Sequence, residues 1–413
     1  ECYLVGGAIR DCLNGLPLND FDFCFPDNPT AFAKQIAAQL GATFFVLDEE
    51  RGHSRFVLKR EQGNVSCDFA PFRAPSLESD LRKRDFTINA MAVLCSHGDL
   101  QLIDPLRGQD DLARKQLRAC SEYSFQEDPL RCLKGIRHAA CLDLEVEPET
   151  MQRLVDSVSQ LDQVASERIR TELVKAISCK KPSRTFQYLK ETGILVELFG
   201  NASDQAFTDA LRVLARYETT VDKLKTGVCG QVVIDFLSEP CEEYVPMEVA
   251  LKMAAFLYGY RPVALKSVLQ ALRFSNRTIN LIEQIRSIDA EILSDFKNVA
   301  TQKRSRARWL SGTGNEPLAT AIFMALLTDK ESIDLLTSEL LIDAYSSSLV
   351  NGRLAELVSG DWLTDDLGLT EGPAIGRALD QLHHAEINGE VTTRDEAMVW
   401  LQNKQKSIDK NFQ

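Results

Sequence analysis

No apolar run in this chain approaches the roughly 18–20 residues that a helix needs to span a bilayer, so no membrane partner is expected. The 11 cysteines include no Cys-x-x-Cys pair. An odd count without paired spacing argues against a zinc site or a disulfide framework. Most of the cysteines are expected as buried small apolar residues in a reducing compartment, which points to the cytoplasm. No signal-peptide pattern precedes the first motif, because Tyr3-Leu4-Val5 leads straight into it. The abrupt opening at Glu1, inside a strand-like run, reads as the loss of a few residues of the natural chain. Short internal repeats and low-complexity segments are also lacking.

What is present is a chain of 413 residues, long enough for two to four domains. Hydrophobic residues make up 44% and charged residues 26%, a soluble globular balance. The formal net charge of −13, taken alone, argues against a nucleic-acid partner. Basic clusters nevertheless occur at Arg82-Lys83-Arg84, at Lys180-Lys181, and at Lys303-Arg304 with Arg306 and Arg308. They leave room for a basic groove on an acidic body, although composition does not reveal one.

Residues 1–120 alternate short apolar strands with helical stretches. Tyr3–Val5, Phe21–Phe23, Thr43–Leu47, Arg55–Leu58 and Val65–Phe69 read as strands. Thr30 to Leu40 has helical spacing, with Thr30 as N-cap after Pro29. From about residue 121 the pattern is almost wholly helical. A helix begins after Pro129 with Leu130, Leu133 and Ile136, and Met151–Leu161, Glu167–Ile177, Pro182–Leu189 and Ala206–Tyr217 follow. Breaks fall near Gly200, Pro240, Gly312–Gly314 and Gly360. The expected fold is an α/β head carrying an all-α arm.

The first chemical constellation is Gly6-Gly7-Ala8-Ile9-Arg10-Asp11 followed by Asn19-Asp20-Phe21-Asp22-Phe23. Two glycines after a strand let the backbone turn tightly and approach a phosphate. Arg10 could then grip that phosphate bidentately. The loop is neither a Walker loop nor a dinucleotide Gly-x-Gly-x-x-Gly, and a plain β-turn is the competing explanation. Asp20 and Asp22 are more specific, because residues i and i+2 of a strand share a face, roughly 6.5–7 Å apart. Paired carboxylates there suit magnesium, which takes few carboxylates plus phosphate oxygens and water. Two such ions can clamp the attacking and leaving oxygens of a phosphoryl transfer. Two incidental acids on a solvated edge are the alternative.

Asp68, the one acid in the strand-like Val65–Phe69, completes the site if its strand lies beside the first; otherwise it is an exposed strand-end acid. The run Arg82-Lys83-Arg84-Asp85-Phe86-Thr87-Ile88-Asn89 suits triphosphate and sugar contacts, or forms a solvated basic helix start. In Glu127-Asp128-Pro129-Leu130-Arg131, Pro129 fits a first helical turn, and Asp128 and Arg131 are spaced to share a helical face. An acceptor and a forked donor there could read a base edge, or else form a cap and an intrahelical ion pair.

Together these residues resemble the class II nucleotidyltransferases: bacterial-type tRNA CCA-adding enzymes, their CC-adding and A-adding relatives, and bacterial poly(A) polymerases. The resemblance runs through Gly6–Asp11 with Asp20-Phe21-Asp22, Arg84–Ala90, Asp104-Pro105 with Gly108 and Asp111-Leu112, Glu127–Arg131, and Glu167-Arg168-Ile169. It is strong over about residues 1–180 and weaker beyond. It implies a polymerase-β-like nucleotidyltransferase head (1–120), a neck that selects the base (121–180), a helical body (181–300) and a helical, tRNA-binding tail (301–413). It implies that Asp20 and Asp22 ligate Mg2+ while the tRNA 3′ hydroxyl attacks the α-phosphate of the nucleotide, with Asp68 as third acid. Gly6, Gly7 and Arg10 would hold the triphosphate. Arg84, Asp85 and Asn89 would line the nucleotide pocket, and Asp128 and Arg131 would hydrogen-bond the base. The implied partners are tRNA, through its 3′ end and acceptor arm, and CTP, with ATP as the other candidate nucleotide.

Two departures from the family pattern matter. Full CCA-adding members carry a longer flexible segment between the third-acid strand and the Arg-Asp motif. Here Arg73 is followed almost at once by Pro75–Asp80 and Arg84-Asp85. The resemblance then points to enzymes that stop after CC, with A-adding, CCA-adding and poly(A)-adding enzymes as alternatives. Some relatives also carry a His-Asp phosphohydrolase site near Lys252–Tyr260. Tyr258-Gly259 stand there instead, and His53, His97, His138, His383 and His384 are too few and badly placed, so this stretch is read as a structural helix. The pair His383-His384 lacks a third metal ligand at suitable spacing and is read as surface. A hypothesis of another class, an RNA-binding protein that has lost its chemistry, is opposed by the joint presence of Asp20, Asp22, Asp128 and Arg131.

Overall fold

The computed structural model describes residues 1–60, 63–95, 100–288, 316–327, 342, 349–350, 353–354, 358, 362–363, 373–387, 390–391 and 393–408. The chain divides into two compact units, Glu1–Leu198 and Phe199–Gln413. The first unit opens with β1 (Tyr3–Val5), α1 (Gly7–Leu13), β2 (Asp20–Phe25), α2 (Thr30–Leu40), β3 (Thr43–Asp48), β4 (His53–Leu58) and β5 (Val65–Pro71). Then come α3 (Leu77–Arg82), a 3-10 turn at Thr87–Asn89, β6 (Ala92–Leu94), β7 (Gln101–Ile103) and α4 (Gly108–Ala113). The seven strands form one sheet in the order β3-β4-β5-β2-β1-β6-β7. Only β2 and β5 run parallel, and the other neighbours are antiparallel.

The two faces of β2 follow from its alternation. Phe21, Phe23 and Phe25 pack with Phe56 and Phe69 and with Ala33 and Ala37 of α2. The Phe23 and Phe69 rings stack at 5.2 Å, a contact that adds to area burial. On the other face Cys24 packs with Tyr3 and Val5. Asp20 and Asp22 share that second face and stand exposed where the apolar packing stops. The five strands expected from the sequence all form. The short β6 and β7 were not expected, since runs of 3 residues give too little alternation to read.

One cap needs correction. Thr30 is the first helical residue of α2 rather than its N-cap; Pro29 holds the cap position, and the Thr30 N–H donates to Asn28 Oδ1 at 2.9 Å. The cluster Arg82-Lys83-Arg84 lies at the C-terminal end of α3, not at a helix start. Cations there face the negative end of the helix dipole.

The rest of the first unit is helical apart from a parallel pair of two-residue strands, Gln116–Leu117 and Glu145–Val146: α5 (Ser124–Glu127), α6 (Arg131–Cys141), α7 (Pro148–Asp156), α8 (Ser166–Ile177) and α9 (Pro182–Glu191), with the unit boundary falling inside α10 (Ile194–Phe199). The stretch read as one helix over Met151–Leu161 is instead α7 followed by a 3-10 segment, Val158–Gln163. On α6, Leu133, Ile136, Ala139 and Ala140 are buried, while Arg131, Lys134 and Arg137 are only half-buried. Cys141 and Cys179 form a disulfide, with Cα atoms 5.0 Å apart across a separation of 38 residues. The sequence argued against a disulfide framework, and this is a single pair beside nine free cysteines; helix packing, invisible to cysteine spacing, brings the two together.

The second unit comprises α11 (Asp204–Thr226), α12 (Gly230–Ser238), α13 (Met247–Tyr260), α14 (Leu265–Ala271) and α15 (Asn276–Arg286), with further helices at Pro317–Leu327, Pro373–Ile387 and Arg394–Ile408. α13 is buried along almost its whole length. A Cβ on Gly259 would meet Ala210 Cα of α11 at 2.4 Å, so the two backbones cross there in contact. A smaller core forms around Trp362, Leu363, Leu382, Ala397 and Leu401. His383-His384 lie in the helix Pro373–Ile387. The Lys303–Arg308 cluster, His97 and the breaks at Gly312–Gly314 and Gly360 lie outside the described residues. Among the described residues no helix is long and apolar enough to cross a membrane.

Candidate active site

The parallel pairing of β2 with β5 sets Asp22 directly beside Asp68 and Asp20 beside Ser66. The antiparallel pairing of β2 with β1 sets Val5 beside Asp22, so the glycine turn leaves β1 next to that carboxylate. Gly6 adopts φ 78° and ψ −141°, a conformation open to glycine and strained for any other residue. A Cβ there would stand 3.1 Å from Asp22 Oδ2 and 3.3 Å from Arg84 Nη1. The turn thus brings bare backbone against one carboxylate and one guanidinium.

The three acids differ in their surroundings. Although the Asp22 side chain is open to the cavity, the protein crowded around it strips away part of its hydration; that, then Asp68 beside it, pushes the carboxyl above its usual range, with Asp20 adding to the effect and Arg84 and Arg73 opposing it. Asp20 accepts a hydrogen bond from Ser66 Oγ. Asp68 lies where the sequence reading put it, on the neighbouring strand, but its carboxylate is gripped by Arg55, whose Nη2 donates to Oδ2 at 2.7 Å. Among the described residues no three His, Cys, Asp or Glu side chains converge as a ready metal site. Asp20 and Asp22 offer two hard oxygen donors, and magnesium bound with a triphosphate needs only one or two carboxylates. The crowding that raises Asp22 is what a divalent cation would relieve.

Arg84 is buried and held by Asp80, whose Oδ2 accepts from Nε at 3.3 Å and from Nη2 at 3.2 Å. The other Asp80 oxygen accepts the Arg73 N–H at 2.9 Å. Asp80 was missed in the sequence: a single acid inside a helix carries no signal until its partner four residues on is known to be buried.

Asp85 is more scaffold than the sequence reading allowed. Its carboxylate accepts from Phe86 N–H at 2.8 Å and from Asn89 Nδ2 at 3.1 Å, so it ties the two ends of the 3-10 turn together. Burial opposes its charge, but the His138 ring where it takes up a proton in acid, the Lys134 ammonium and these hydrogen bonds outweigh it and hold the carboxyl down to about 2. α4 braces the same turn. A Cβ on Gly108 would meet Thr87 O at 2.1 Å, and Thr87 Oγ1 donates to Asp111 Oδ2 at 2.7 Å. Asp104 caps α4, accepting from the N–H groups of Gly108 at 2.7 Å and Gln109 at 2.9 Å. The Asp104, Gly108 and Asp111 motif therefore supports Asn89 from behind.

Arg10 is less free than expected. Its Nε and Nη2 donate to Asp11 at 2.8 Å each, and its Nη1 donates to Asn89 Oδ1 at 2.6 Å. Asp128 and Arg131 also require correction. They do not share a helical face: Asp128 is extended, at φ −149°, in the turn between α5 and α6, and Arg131 is the first residue of α6. The Arg131 N–H bonds Asp128 O at 2.9 Å, so Pro129 sits in a tight turn rather than in the helix. Asp128 accepts from Arg168 Nη2 at 3.2 Å. Arg131 donates to Ser124 Oγ at 2.9 Å and to Lys83 O at 2.8 Å. Arg168, from the Glu167-Arg168-Ile169 motif, thereby gains a contact that its sequence could not specify.

All eleven residues singled out in the sequence line one open cavity of about 860 Å³. Seven Lys/Arg and seven Asp/Glu side chains line it, so it is charge-balanced in a chain whose net formal charge is −13. Sequence reading missed five of its charged or titratable residues, Lys134, Arg137 and His138 on α6 and Glu172 and Lys175 on α8. Glu172 accepts from Arg137 Nε at 2.8 Å and from Lys175 Nζ at 3.3 Å.

Comparison with known proteins fits this construction. Residues 2–118 match the family model "Poly A polymerase head domain", residues 143–205 match "Probable RNA and SrmB- binding site of polymerase A", and residues 247–401 match the tRNA nucleotidyltransferase domain 2 model. Head and cavity together define an enzyme of the nucleotidyltransferase class. The chain is 34% identical over 411 residues to a CC-adding tRNA nucleotidyltransferase of Geobacter sulfurreducens, covering 98% of this chain and 92% of that one. It is 28% identical to a CC-adding tRNA nucleotidyltransferase of Synechocystis, covering 98% and 94%. An A-adding tRNA nucleotidyltransferase of Deinococcus radiodurans is 40% identical over 197 residues, covering 46% and 43%. Among solved structures, a Thermotoga maritima CCA-adding enzyme complexed with tRNA shares the fold at a TM-score of 0.64 and 23% identity, covering 98% and 91%. A CCA-adding enzyme with ATP does so at 0.69 and 22% identity, covering 98% and 91%. The chain belongs to the class II tRNA nucleotidyltransferase family.

Proposed function

We propose that this chain is a cytoplasmic CC-adding enzyme, which transfers CMP from CTP to the 3′ end of tRNA without a template. The observation that carries the chemistry is the convergence of Asp20, Asp22, the Gly6 turn and Arg84 at one end of the cavity. In this reading the terminal tRNA hydroxyl attacks the α-phosphate of CTP, a new P–O bond forms, and pyrophosphate leaves. Asp20 and Asp22 would hold Mg2+, with Asp68 as an outer acid steadied by Arg55. Magnesium bound there would supply charge neutralisation on the triphosphate and acidify the attacking hydroxyl. The Gly6-Gly7 backbone leaves room for phosphate oxygens, and Arg84, aimed by Asp80, draws the charge that builds on them. Asn89 and Asp85 bound the sugar end. Asp128 supplies an acceptor and Arg131 a donor to the base edge. Residues 121–180 act as the base-selecting neck, and 181–300 and 301–413 as body and tail that carry the tRNA.

Support for CC addition comes from the short link between β5, ending at Pro71, and α3, starting at Leu77, which leaves no room for a long flexible segment. Two CC-adding relatives that align over 98% of the chain support it as well. The test uses tRNA ending at the discriminator, after one C, or after CC, each with labelled CTP or ATP. CC addition gives two additions and one addition from CTP on the first two substrates and nothing on the third. AMP transfer onto the CC end indicates an A-adding enzyme, and both activities indicate CCA addition. Long A tails on unrelated RNAs indicate a poly(A) polymerase.

A further inference from the structure

We propose that His138 is a positioning residue, which fixes the Asn89 amide so that only its carbonyl oxygen is offered to the sugar of the bound nucleotide. The inference rests on the nucleotide pocket proposed above. His138 lies on α6, in the wall of the cavity, and is 4% exposed. Its Nε2 faces two groups that can only donate, Asn89 Nδ2 at 3.2 Å and Arg137 Nη2 at 3.3 Å. Two donors on one nitrogen require a lone pair, so the ring is neutral and carries its proton on Nδ1. The charges around it agree. Burial, then Arg137, holds the ring well below its ordinary value, with Arg10 and Lys134 pushing the same way and Asp85 opposing. Glu172, on α8, takes the Nε of that same Arg137.

The consequence falls on Asn89, which is itself buried. One Nδ2 hydrogen goes to Asp85 Oδ1 at 3.1 Å and the other to His138 Nε2. Oδ1 accepts from Arg10 Nη1 at 2.6 Å. Turning the amide over would set an oxygen against a carboxylate and an imidazole lone pair, and an N–H against a guanidinium. With both hydrogens used, a ligand meets one remaining lone pair on Oδ1, which takes a hydroxyl donor and rejects an acceptor. A ribose hydroxyl meets that requirement and the 2′ position of a deoxyribose does not. His138 never needs to touch the substrate; it acts through Asn89.

The test compares CTP with 2′-deoxy-CTP as substrates of the full chain. Two variants without an acceptor, His138→Phe and His138→Leu, are measured beside His138→Gln, whose Oε1 can accept, and Asn89→Ala. Thermal melting confirms which variants fold. Loss of one buried hydrogen bond should lower kcat/KM for CTP by about tenfold, mostly through KM, and leave 2′-deoxy-CTP little changed. The preference for ribose then falls by the same factor, and His138→Gln recovers part of it. If folded His138→Phe or His138→Leu keeps the wild-type ribose preference while Asn89→Ala loses it, the role of His138 is overturned. If Asn89→Ala also keeps it, Asn89 does not read the sugar, and its place in the pocket falls together with the role of His138.

Discussion

Replacing Gly6 with alanine should cost both stability and turnover, and the two losses arise from different atoms. The backbone at φ 78° and ψ −141° belongs to a region that charges a side chain about 1–3 kcal/mol. The added methyl carbon would also stand 3.1 Å from Asp22 Oδ2 and 3.3 Å from Arg84 Nη1, so one or both must give by a few tenths of an ångström. A displacement of a full ångström at reacting groups costs about a hundredfold, so a few tenths should cost about three- to tenfold in kcat/KM. Gly41 separates the two effects. It too has a positive φ, 64°, but nothing lies within 4 Å of a Cβ added there. Gly41→Ala should lose about 1–2 kcal/mol from its left-handed backbone and keep full activity. Urea unfolding and steady-state CTP incorporation, run on both variants, give the comparison. A Gly6→Ala enzyme with wild-type kcat/KM would refute the claim that the glycine turn shapes the catalytic end of the cavity.

Asp80→Ala leaves buried Arg84 without its carboxylate and should destabilise the chain by about 3–5 kcal/mol in urea unfolding, as breaking a buried ion pair does. An unchanged midpoint would remove Asp80 from the account. Asp22 has its carboxyl raised, so its charge disfavours the fold: the favourable contribution exists at low pH and is lost as pH rises through the folded value. Asp22→Asn should therefore melt higher than wild type at neutral pH without divalent cations, and Mg2+ should raise the wild type and not the variant. Equal melting temperatures in metal-free buffer would contradict the crowding of carboxylates. Asp85 behaves in the opposite sense. With its carboxyl lowered from 3.8 to about 2, its contribution is complete above 3.8 and fades as pH falls towards about 2. Acid unfolding of Asp85→Asn should accordingly be less steep over that window than that of wild type.

The head was legible where alternation ran long enough. Phe21 and Phe23 on one face and Asp20 and Asp22 on the other placed β2 from spacing alone, although the strand runs on to Phe25. β6 and β7 were not legible, because three-residue strands take their place from the sheet rather than from their own pattern. The residues of the site were legible as motifs, but their hydrogen bonding was not. Arg10 read as a free phosphate grip, and the fold engages it with Asp11 and Asn89. Asp128 and Arg131 read as one helical face, and a turn at Pro129 separates them. Asp80, His138 and Glu172 escaped notice because each matters only through a partner that tertiary packing supplies. The disulfide between Cys141 and Cys179 is the same lesson in cysteine, a contact made by packed helices and not by spacing.

The claim on which everything else depends is that the Asp20 and Asp22 face performs nucleotide transfer. Asp20→Ala, assayed with labelled CTP on tRNA lacking its terminal CC and with tRNA binding followed in parallel, tests it most directly. The account predicts two additions by the wild-type enzyme, none by the variant, and the same affinity of both for tRNA. Transfer that survives in Asp20→Ala would contradict it.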